Sequence, residues 1–293
     1  MEDELLKALS TDGSLLLVAL RSTQCVKRAQ EIHQSLPTAT AALGRVISGA
    51  LLLSAPLKGP PQKVSLQLQG RGPLREVFAE ADWQARTRGY VKRPLIHLGL
   101  KDGKLDVGRA IGEGTLSVLK DLGLREPYFG STPLRTGEVA TDLAYYLAVS
   151  EQVPSAVSLG VHVNADNSVG AAGGFMVQAL AGAPGATVAQ VEEALRSAPA
   201  CSAMVLQGLS PQEMLEQALG GRVAFQVLER RRPRYHCPCG RQRVLDALAS
   251  LGRAELQELL GRRQPTEVTC KFCQRHYVIE KEELQRLLEE LST

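Results

Sequence analysis

The stretch Tyr235-His236-Cys237-Pro238-Cys239-Gly240 contains one pair of cysteines, and a second pair follows after a spacer of about thirty residues in Cys270-Lys271-Phe272-Cys273. Four of the six cysteines of the chain lie in these two stretches. Two short thiol pairs, each on one turn, can supply the four thiolates of one tetrahedral zinc ion if the spacer folds back. A final unit that begins near Tyr235 is too small to build a core unaided, so we predict that a metal holds it together.

Four sulfurs form the predicted ligand set, which binds one Zn²⁺ ion through Cys237, Cys239, Cys270 and Cys273. His236 and His276 lie close by in sequence and leave a site of three cysteines and one histidine open. We favour the four sulfurs because adjacent positions such as 236 and 237 rarely point at the same ion. Each histidine is then a surface group or a partner of a ligand.

Oxidation gives these sulfurs a second chemistry. Each pair can close on itself, and a disulfide within three or four residues stabilises a fold by about 2 kcal/mol in the loop-entropy model. A zinc ion that joins the two pairs across the spacer supplies on the order of 10 kcal/mol. We therefore hypothesise that forming the Cys237–Cys239 and Cys270–Cys273 disulfides expels zinc and unfolds the final unit.

Composition limits the class of protein. The length of 293 residues predicts two or three domains. A content of 44% hydrophobic and 22% charged residues is typical of a soluble globular protein. The net charge of +3 does not by itself indicate nucleic acid or a membrane as a partner. Met1 to Glu4 lacks the basic start of an export signal, and polar or helix-breaking residues interrupt the apolar stretch Ala39 to Leu57. We expect a cytosolic protein, in which paired cysteines favour metal binding or redox sensing over structural disulfides.

Residues 1–180 read as one α+β domain of antiparallel sheets and helices. Leu5 to Leu9 is interpreted as a short helix, and Leu15 to Leu20 as a buried strand. A core helix follows Pro37, glycine-punctuated strands come next, and a helix runs from Thr136 to Val149. Two strands joined by a hairpin turn complete the domain at Ser158–Val163 and Val169–Ala179.

Residues 181–234 are predicted to form a helical linker. Three short amphipathic pieces and a strand-like stretch have no core of their own, so they must dock on the first domain or on another partner. The basic run Arg230 to Arg234 ends this segment, and residues 235–293 form the small zinc-binding domain.

Two other functions are considered. A thiol oxidoreductase places its Cys-x-x-Cys at a helix N-terminus, whereas Cys270 and Cys273 lie between strand-like runs. A zinc-ribbon nucleic-acid-binding protein would contact phosphates with Arg230, Arg231, Arg232, Arg234, Arg241 and Arg243. The N-terminal part offers neither a matching basic stripe nor an aromatic stacking set. No nucleophile and base are found at catalytic spacing, Cys25 and Cys201 read as buried hydrophobic residues, and we expect no enzymatic activity.

Further motifs resemble those of one known family over essentially the whole chain. They are Tyr128-Phe129-Gly130, Ser131 to Tyr146, Ser150 to Val157, Gly173 to Gln178, and the Cys-x-Cys with its Cys-x-x-Cys. With these motifs the chain resembles the 33-kilodalton heat-shock protein family, the redox-regulated holdase chaperones of bacteria.

The resemblance implies a zinc-bound, inactive monomer when the cysteines are reduced. Oxidation is expected to release zinc, unfold the last domain and loosen the linker, which then holds unfolding client proteins without ATP, often as a homodimer. Docked pieces without a core suit such a linker. The surface expected to become exposed to clients includes Val188, Val191, Leu195, Met204, Leu206, Met214, Leu215 and Phe225.

Overall fold

Strands and helices alternate irregularly along the chain. The computed structural model describes residues 1–262 and 264–291, and the chain forms two units, Met1–His236 and Cys237–Thr293. The first unit contains the strands β1 (Glu4–Ser10), β2 (Leu15–Arg21), β3 (Lys63–Gly70), β4 (Glu76–Asp82), β5 (Arg86–Val91), β6 (Leu100–Lys101), β7 (Lys104–Leu105), β8 (Gly114–Asp121), β9 (Tyr128–Pro133), β10 (Ser155–Val163), β11 (Val169–Ala179), β12 (Phe225–Arg231) and β13 (Arg234–Tyr235). Its helices are α1 (Thr23–His33), α2 (Pro37–Ser54), α3 (Val107–Ile111), α4 (Val139–Val149), α5 (Gly185–Arg196), α6 (Cys201–Leu206) and α7 (Pro211–Leu219). The second unit contains α8 (Arg241–Ala249), α9 (Arg253–Gly261), β14 (Thr266–Thr269), β15 (His276–Ile279) and α10 (Lys281–Glu290).

A five-stranded antiparallel sheet, in the order β10-β11-β2-β1-β12, carries apolar side chains on both faces. Successive residues of β2 alternate between two separate cores. Val18 and Leu20 belong to the core around α2, whereas Leu17 and Ala19 belong to the core under the linker helices. The sheet therefore forms the boundary between the N-terminal core and the linker.

The predicted helix at Leu5 to Leu9 is wrong, because this segment is the strand β1. It pairs with β2 on one side and with β12 on the other. Leu5 is buried toward one core while Leu6 and Ala8 are buried toward the other. A strand buried on both faces lacks a polar face, so its pattern cannot be told from that of a short helix.

The eighteen-residue helix α2 lies between the five-stranded sheet and a six-stranded sheet of order β13-β5-β4-β3-β8-β9. Pro37 opens the helix at a position where a missing N–H costs nothing. Gly44 allows close packing, since a Cβ there would lie 2.6 Å from a methyl group of Val26. The mixed α+β fold with antiparallel sheets predicted from the sequence is confirmed.

The helices α5, α6 and α7 cover the second face of the five-stranded sheet. Their buried residues join those of β1, β2 and β11 in one apolar cluster. Helix α7 is bounded on both sides by local signals: Ser210 and Glu213 form a capping box, and Gly220 ends the helix in the left-handed conformation. The three linker helices thus bury their apolar faces against the five-stranded sheet.

The second unit consists of helices α8 and α9, the hairpin β14–β15 and the closing helix α10. Its core is small and consists of Val244, Leu248, Leu256, Tyr277, Ile279, Leu284 and Leu287. Among the helices that the structure describes, none combines the length and the hydrophobicity of a membrane-spanning segment.

Candidate metal centre

The four cysteines of the C-terminal unit lie on two turns. Cys237 and Cys239 precede α8, and Cys270 and Cys273 lie in the turn that joins β14 to β15. This second turn is held by its own backbone, because the N–H of Cys270 donates to the carbonyl of Arg275 at 3.0 Å. Gln274 takes a positive φ of 56°, which reverses the chain just after Cys273.

All four Sγ atoms lie within 4.8 Å of one another. The Sγ atoms of Cys237 and Cys270 are 3.7 Å apart, and those of Cys239 and Cys273 are 3.0 Å apart. Four thiolates at zinc–sulfur distances of about 2.3 Å from one tetrahedral ion are separated by about 3.8 Å. The donor set and its spacing therefore fit a zinc ion after a small outward movement of one pair.

The electrostatics of the site favour a thiolate at one of the two closer sulfurs. Burial opposes ionisation of Cys239, but the hydroxyl of Tyr277 donates a hydrogen bond to its Sγ at 3.2 Å. That bond and the neighbouring sulfurs lower the pKa of Cys239 to about 7. Burial and the sulfur of Cys239 raise the pKa of Cys273 to about 12. A bound dication would neutralise this mutual repulsion and let several sulfurs ionise together.

A charged contact ties the first cysteine turn to the last helix. The guanidinium of Arg241, at the start of α8, binds Glu283 at 2.5 Å and donates to the carbonyl of Val278 at 2.9 Å. Glu283 also completes the capping box of α10 with Glu280. Polar contacts thus stabilise the C-terminal unit locally, but its apolar core is far smaller than that of the first unit.

The nearby histidines are placed differently from the sulfurs. The Nδ1 atom of His276 shares a hydrogen bond with the hydroxyl of Thr269 at 2.9 Å, across the β14–β15 hairpin. His236 belongs to the first unit, where its backbone N–H donates to the carbonyl of Thr87 at 2.8 Å. Within residues 1–262 and 264–291, the candidate metal-binding group contains the four cysteines and no histidine.

The residues expected to meet clients are mostly hidden in the first unit. Val191, Met204, Met214 and Leu215 are buried, and Val188, Leu195 and Phe225 are half-buried. Leu206 is the exception, because it ends the short helix α6 and is already 48% exposed. It therefore does not belong to a hidden surface. Val205 and Leu219, which the sequence interpretation of the surface omitted, are buried beside the others.

The basic run before the cysteines has partners inside the molecule. Arg230 pairs with Glu4, Arg232 pairs with Glu2, and Arg231 pairs with Glu229 at 2.6 Å. The pairs of Arg230 and Arg232 join the end of the linker to the start of the chain at β1, whereas the pair of Arg231 lies within β12. The same arginines were the phosphate-binding candidates of the nucleic-acid alternative, so part of that basic surface is already neutralised.

The two remaining cysteines are buried thiols in the first unit. Cys25 and Cys201 are each 2% exposed. Burial raises the pKa of Cys25, and it raises the pKa of Cys201 to about 11. Both thiols are therefore protonated at neutral pH and poorly reactive, as expected for small buried hydrophobic residues.

Sequence reasoning missed two residues that matter to these sites. Tyr277 lies in one of the strand-like runs beside Cys270 and Cys273 and was not predicted to contact a cysteine, although its hydroxyl donates to the Sγ atom of Cys239. Arg231 was assigned to a boundary, although its guanidinium reaches the end of α2. The position of Tyr277, four residues beyond Cys273 and on the adjoining strand, is a usable signal for the first. No local pattern reveals the second, because its partners lie over 170 residues away.

Comparison with known proteins agrees with this arrangement. The family model described as Hsp33 protein matches residues 3–280. The 33 kDa chaperonin of Thermodesulfovibrio yellowstonii is 48% identical over 289 residues, covering 99% of this chain and 100% of that protein. The 33 kDa chaperonin of Bacillus subtilis is 42% identical, with 97% and 98% covered.

A solved structure gives the same result at the level of the fold. The crystal structure of the 33 kDa chaperonin from Thermotoga maritima, described as a heat shock protein 33 homologue, aligns with a TM-score of 0.88. It is 35% identical in sequence, and the alignment covers 99% of each chain. Together with the family model, these matches show that the chain belongs to the Hsp33 family of chaperones.

Proposed function

We propose that the protein is a redox-regulated, ATP-independent holdase chaperone. The observation that carries this proposal is the cluster of four sulfurs in a unit whose apolar core is too small to fold firmly alone. In the reduced form Cys237, Cys239, Cys270 and Cys273 bind one Zn²⁺ ion, which supplies a cross-link between the two turns. The chain is then folded and inactive.

Oxidation is the proposed signal. Closure of the thiolates of Cys237 and Cys239 into a disulfide removes two electrons, and closure of Cys270 on Cys273 removes two more. Peroxide is the electron acceptor, and each molecule of hydrogen peroxide takes up two electrons and two protons from solvent to give two molecules of water. Sulfurs joined as disulfides are poor metal ligands, so the four cysteines would no longer hold the ion. Each short disulfide contributes only about 2 kcal/mol to the folding free energy, whereas the bound metal contributes on the order of 10 kcal/mol.

Loss of the last domain is proposed to release the linker. We assign residues 1–180 to the core domain, 181–234 to the switchable linker and 235–293 to the redox domain. Undocking α5, α6 and α7 would uncover Val191, Met204, Met214 and Leu215 together with the face of the sheet beneath them. Such a surface of several apolar side chains binds unfolding proteins without directional contacts.

The remaining properties follow the same proposal. The oxidised protein acts as a homodimer in the cytosol, where reduced thiols are the resting state. It performs no catalysis and needs neither nucleic acid nor a membrane. The zinc-ribbon alternative is disfavoured at Arg231, because its largely buried guanidinium is bound to Glu229 and to carbonyls at the end of α2 and would have to leave them to reach a phosphate.

The test combines a metal assay, thiol counting and an aggregation assay on the full chain. Reduced protein should carry one zinc per chain and six titratable thiols after denaturation; peroxide with mild heat should leave no zinc and two thiols. Light scattering of a thermally unfolding client should fall only with oxidised protein. Equal suppression by both forms would refute the switch, and suppression by neither would refute the chaperone. Cys273→Ser should abolish zinc binding, whereas the control Cys25→Ser should retain it.

A further inference from the structure

A segment at the end of the linker, residues 225–236, joins the edges of both sheets; we name it the strap. Its first part, β12, pairs antiparallel with β1, from Phe225 opposite Ser10 to Arg231 opposite Leu5. Its second part, β13, pairs parallel with β5 at the edge of the six-stranded sheet. The strap ends directly before Cys237 in the chain.

Backbone pairing and charge hold the middle of the strap, whereas Phe225 and Tyr235 near its two ends pack against the apolar cores. Val227 is 36% exposed and Leu228 is 50% exposed. Lys7 binds Glu229 at 2.9 Å, and Arg230 and Arg232 pair with Glu4 and Glu2 near the start of β1. Exposed ion pairs contribute little each, so this strand is displaced more easily than a buried one.

Arg231 fixes the register of the strap. Its side chain is 12% exposed, and its guanidinium donates to the carbonyls of Ser54 at 3.2 Å, Ala55 at 3.3 Å and Leu57 at 2.8 Å. These carbonyls lie at the C-terminal end of α2, where helical partners are lacking and the helix dipole favours a cation. One side chain thus connects the strap to the central helix.

The strand β1, with which the strap pairs, would stay folded if the strap left it. Leu5, Leu6 and Ala8 of β1 are at most 2% exposed, and β2 pairs with β1 on its other side. β1 therefore remains a strand when β12 leaves, with a free row of backbone N–H and C=O groups. Such a row is a template for another extended chain.

We propose that the strap occupies a polypeptide-binding edge, and that β1 pairs antiparallel with an extended segment of an unfolding protein once the strap has left. This inference rests on the proposed chaperone function and deepens it. The occupant resembles β12 in chemistry: an extended stretch of about seven residues, with a basic end that lies near Glu2 and Glu4 and an acidic residue near Lys7. Most of its affinity comes from backbone hydrogen bonds, which suits clients whose sequences otherwise differ.

A labelled peptide with the sequence of residues 224–232 is the probe, and fluorescence anisotropy measures its binding to full-length protein. Oxidised, zinc-free protein should bind it, and reduced, zinc-bound protein should not. Two further peptides carry one N-methyl group each, on the backbone amide of Glu229 or of Arg230, because these adjacent residues lie on the same side of the β-bulge at Leu228. Since the N–H groups of adjacent residues in a strand point to opposite sides, one of the two peptides should lose binding and the other should keep it. Equal binding by both would overturn the proposal.

Arg231→Gln separates the strap from the cysteine chemistry. Loss of its charged hydrogen bonds should raise peptide binding by the reduced, zinc-bound protein by roughly ten-fold or more. The matched control Arg234→Gln changes a neighbouring arginine of the strap whose backbone N–H still pairs with Ala85, and it should leave binding unchanged. Equal effects of the two substitutions would contradict the role of Arg231.

The aggregation assay run in parallel distinguishes this inference from the function on which it rests. If oxidised protein suppresses client aggregation but does not bind the peptide, the edge proposal fails and the chaperone stands. If it suppresses nothing, the chaperone itself fails. If a concentration-dependent dimer excludes the peptide, the edge is occupied by the strap of a second copy, and the proposed client site is overturned.

Discussion

The Sγ atom of Cys239 lies 3.0 Å from that of Cys273, which belongs to the other cysteine pair. The other close contact, between Cys237 and Cys270, also joins one pair to the other. A disulfide across the site closes a loop of over thirty residues and would stabilise the folded unit by about 4 kcal/mol. The disulfides that fit the folded geometry would therefore lock the domain, whereas the local disulfides permit it to unfold.

The order of events decides which disulfides form. If metal loss unfolds the unit first, the local pairs have the advantage, since their loops are about ten times shorter and closure favours them by about 2 kcal/mol. We predict that peroxide with mild heat yields Cys237–Cys239 and Cys270–Cys273, and that mass spectrometry of non-reduced peptides detects them. Dominance of Cys239–Cys273 with retained helical circular dichroism would contradict the proposed switch.

Leu215 provides a way to open the linker without oxidation. It is fully buried in the cluster that joins α7 to β1 and β2. An aspartate in its place would bury a carboxylate without a partner, at a cost of more than about 3 kcal/mol, which undocks the helix. We expect Leu215→Asp to suppress client aggregation while still reduced and zinc-bound, as measured by light scattering and metal content.

The control for this variant introduces the same residue at an exposed position of the same helix. Gln217→Asp should remain inactive until it is oxidised, because Gln217 faces solvent on α7. An inactive Leu215→Asp protein with a normal zinc content and an undocked linker, shown by faster proteolysis after Leu180, would argue against the linker as the covering element.

Asp142 is a buried clamp for the loop that precedes α4. Its Oδ1 atom accepts the N–H groups of Arg135 at 2.8 Å and Thr136 at 3.1 Å, and its Oδ2 atom accepts that of Gly137 at 2.7 Å. We predict a loss of about 3–5 kcal/mol in the free energy of unfolding for Asp142→Ala, which leaves three donors unpaired. Asp142→Asn keeps one accepting oxygen and should lose about 1–2 kcal/mol.

Chemical denaturation measures both variants, and their order is the informative result. Equal losses would show that packing, and not the number of accepting oxygens, sets the stability of the loop. Gly137, with a φ of +76°, lies against the carbonyl of Gly108 and cannot accept a side chain without moving it. The clamp thus explains why glycine and aspartate occur together in the stretch Thr136 to Asp142.

Local patterns predicted the elements whose environments are simple. The linker helices have one apolar stripe each, and β2 is a continuous apolar run, so periodicity sufficed for both. β1 was misread because both of its faces are buried, and one of them is covered by α6 and α7, about two hundred residues later in the chain. The folding of four cysteines into one cluster followed from their spacing alone, because ligand geometry restricts how such pairs can meet.

Charged and polar contacts between residues far apart in the chain could not be predicted from the sequence. Arg231 looks like any member of a basic run, and only the fold brings it to the end of α2. The hydroxyl of Tyr277 and its effect on the pKa of Cys239 likewise depend on the pairing of β14 with β15 and on the first turn. The charge pattern alone indicated the end of a segment or a phosphate site, whereas the guanidinium of Arg231 binds backbone carbonyls of the first unit.

Acid should loosen the strap through Glu229. Hydrogen bonds from Arg231, and then the ammonium of Lys7, lower the pKa of Glu229 from 4.5 to about 2. A carboxylate whose pKa is lowered by folding contributes stability that is complete above its unfolded pKa and is lost as the pH falls through the folded one. The contribution is therefore present above about pH 4.5 and disappears toward pH 2; at 38% exposure, screening limits it to about 1 kcal/mol.

The measurement is the difference in unfolding free energy between the native chain and Glu229→Gln at pH 6, 4.5 and 3. This difference should be about 1 kcal/mol at pH 6 and should shrink as the pH falls, because the protonated carboxyl then resembles the amide. Glu31→Gln, which removes an exposed ion pair with Arg28, serves as the control and should change little at any pH. A difference for Glu229→Gln that stays constant with pH would mean that packing, and not charge, fixes the strap on β1.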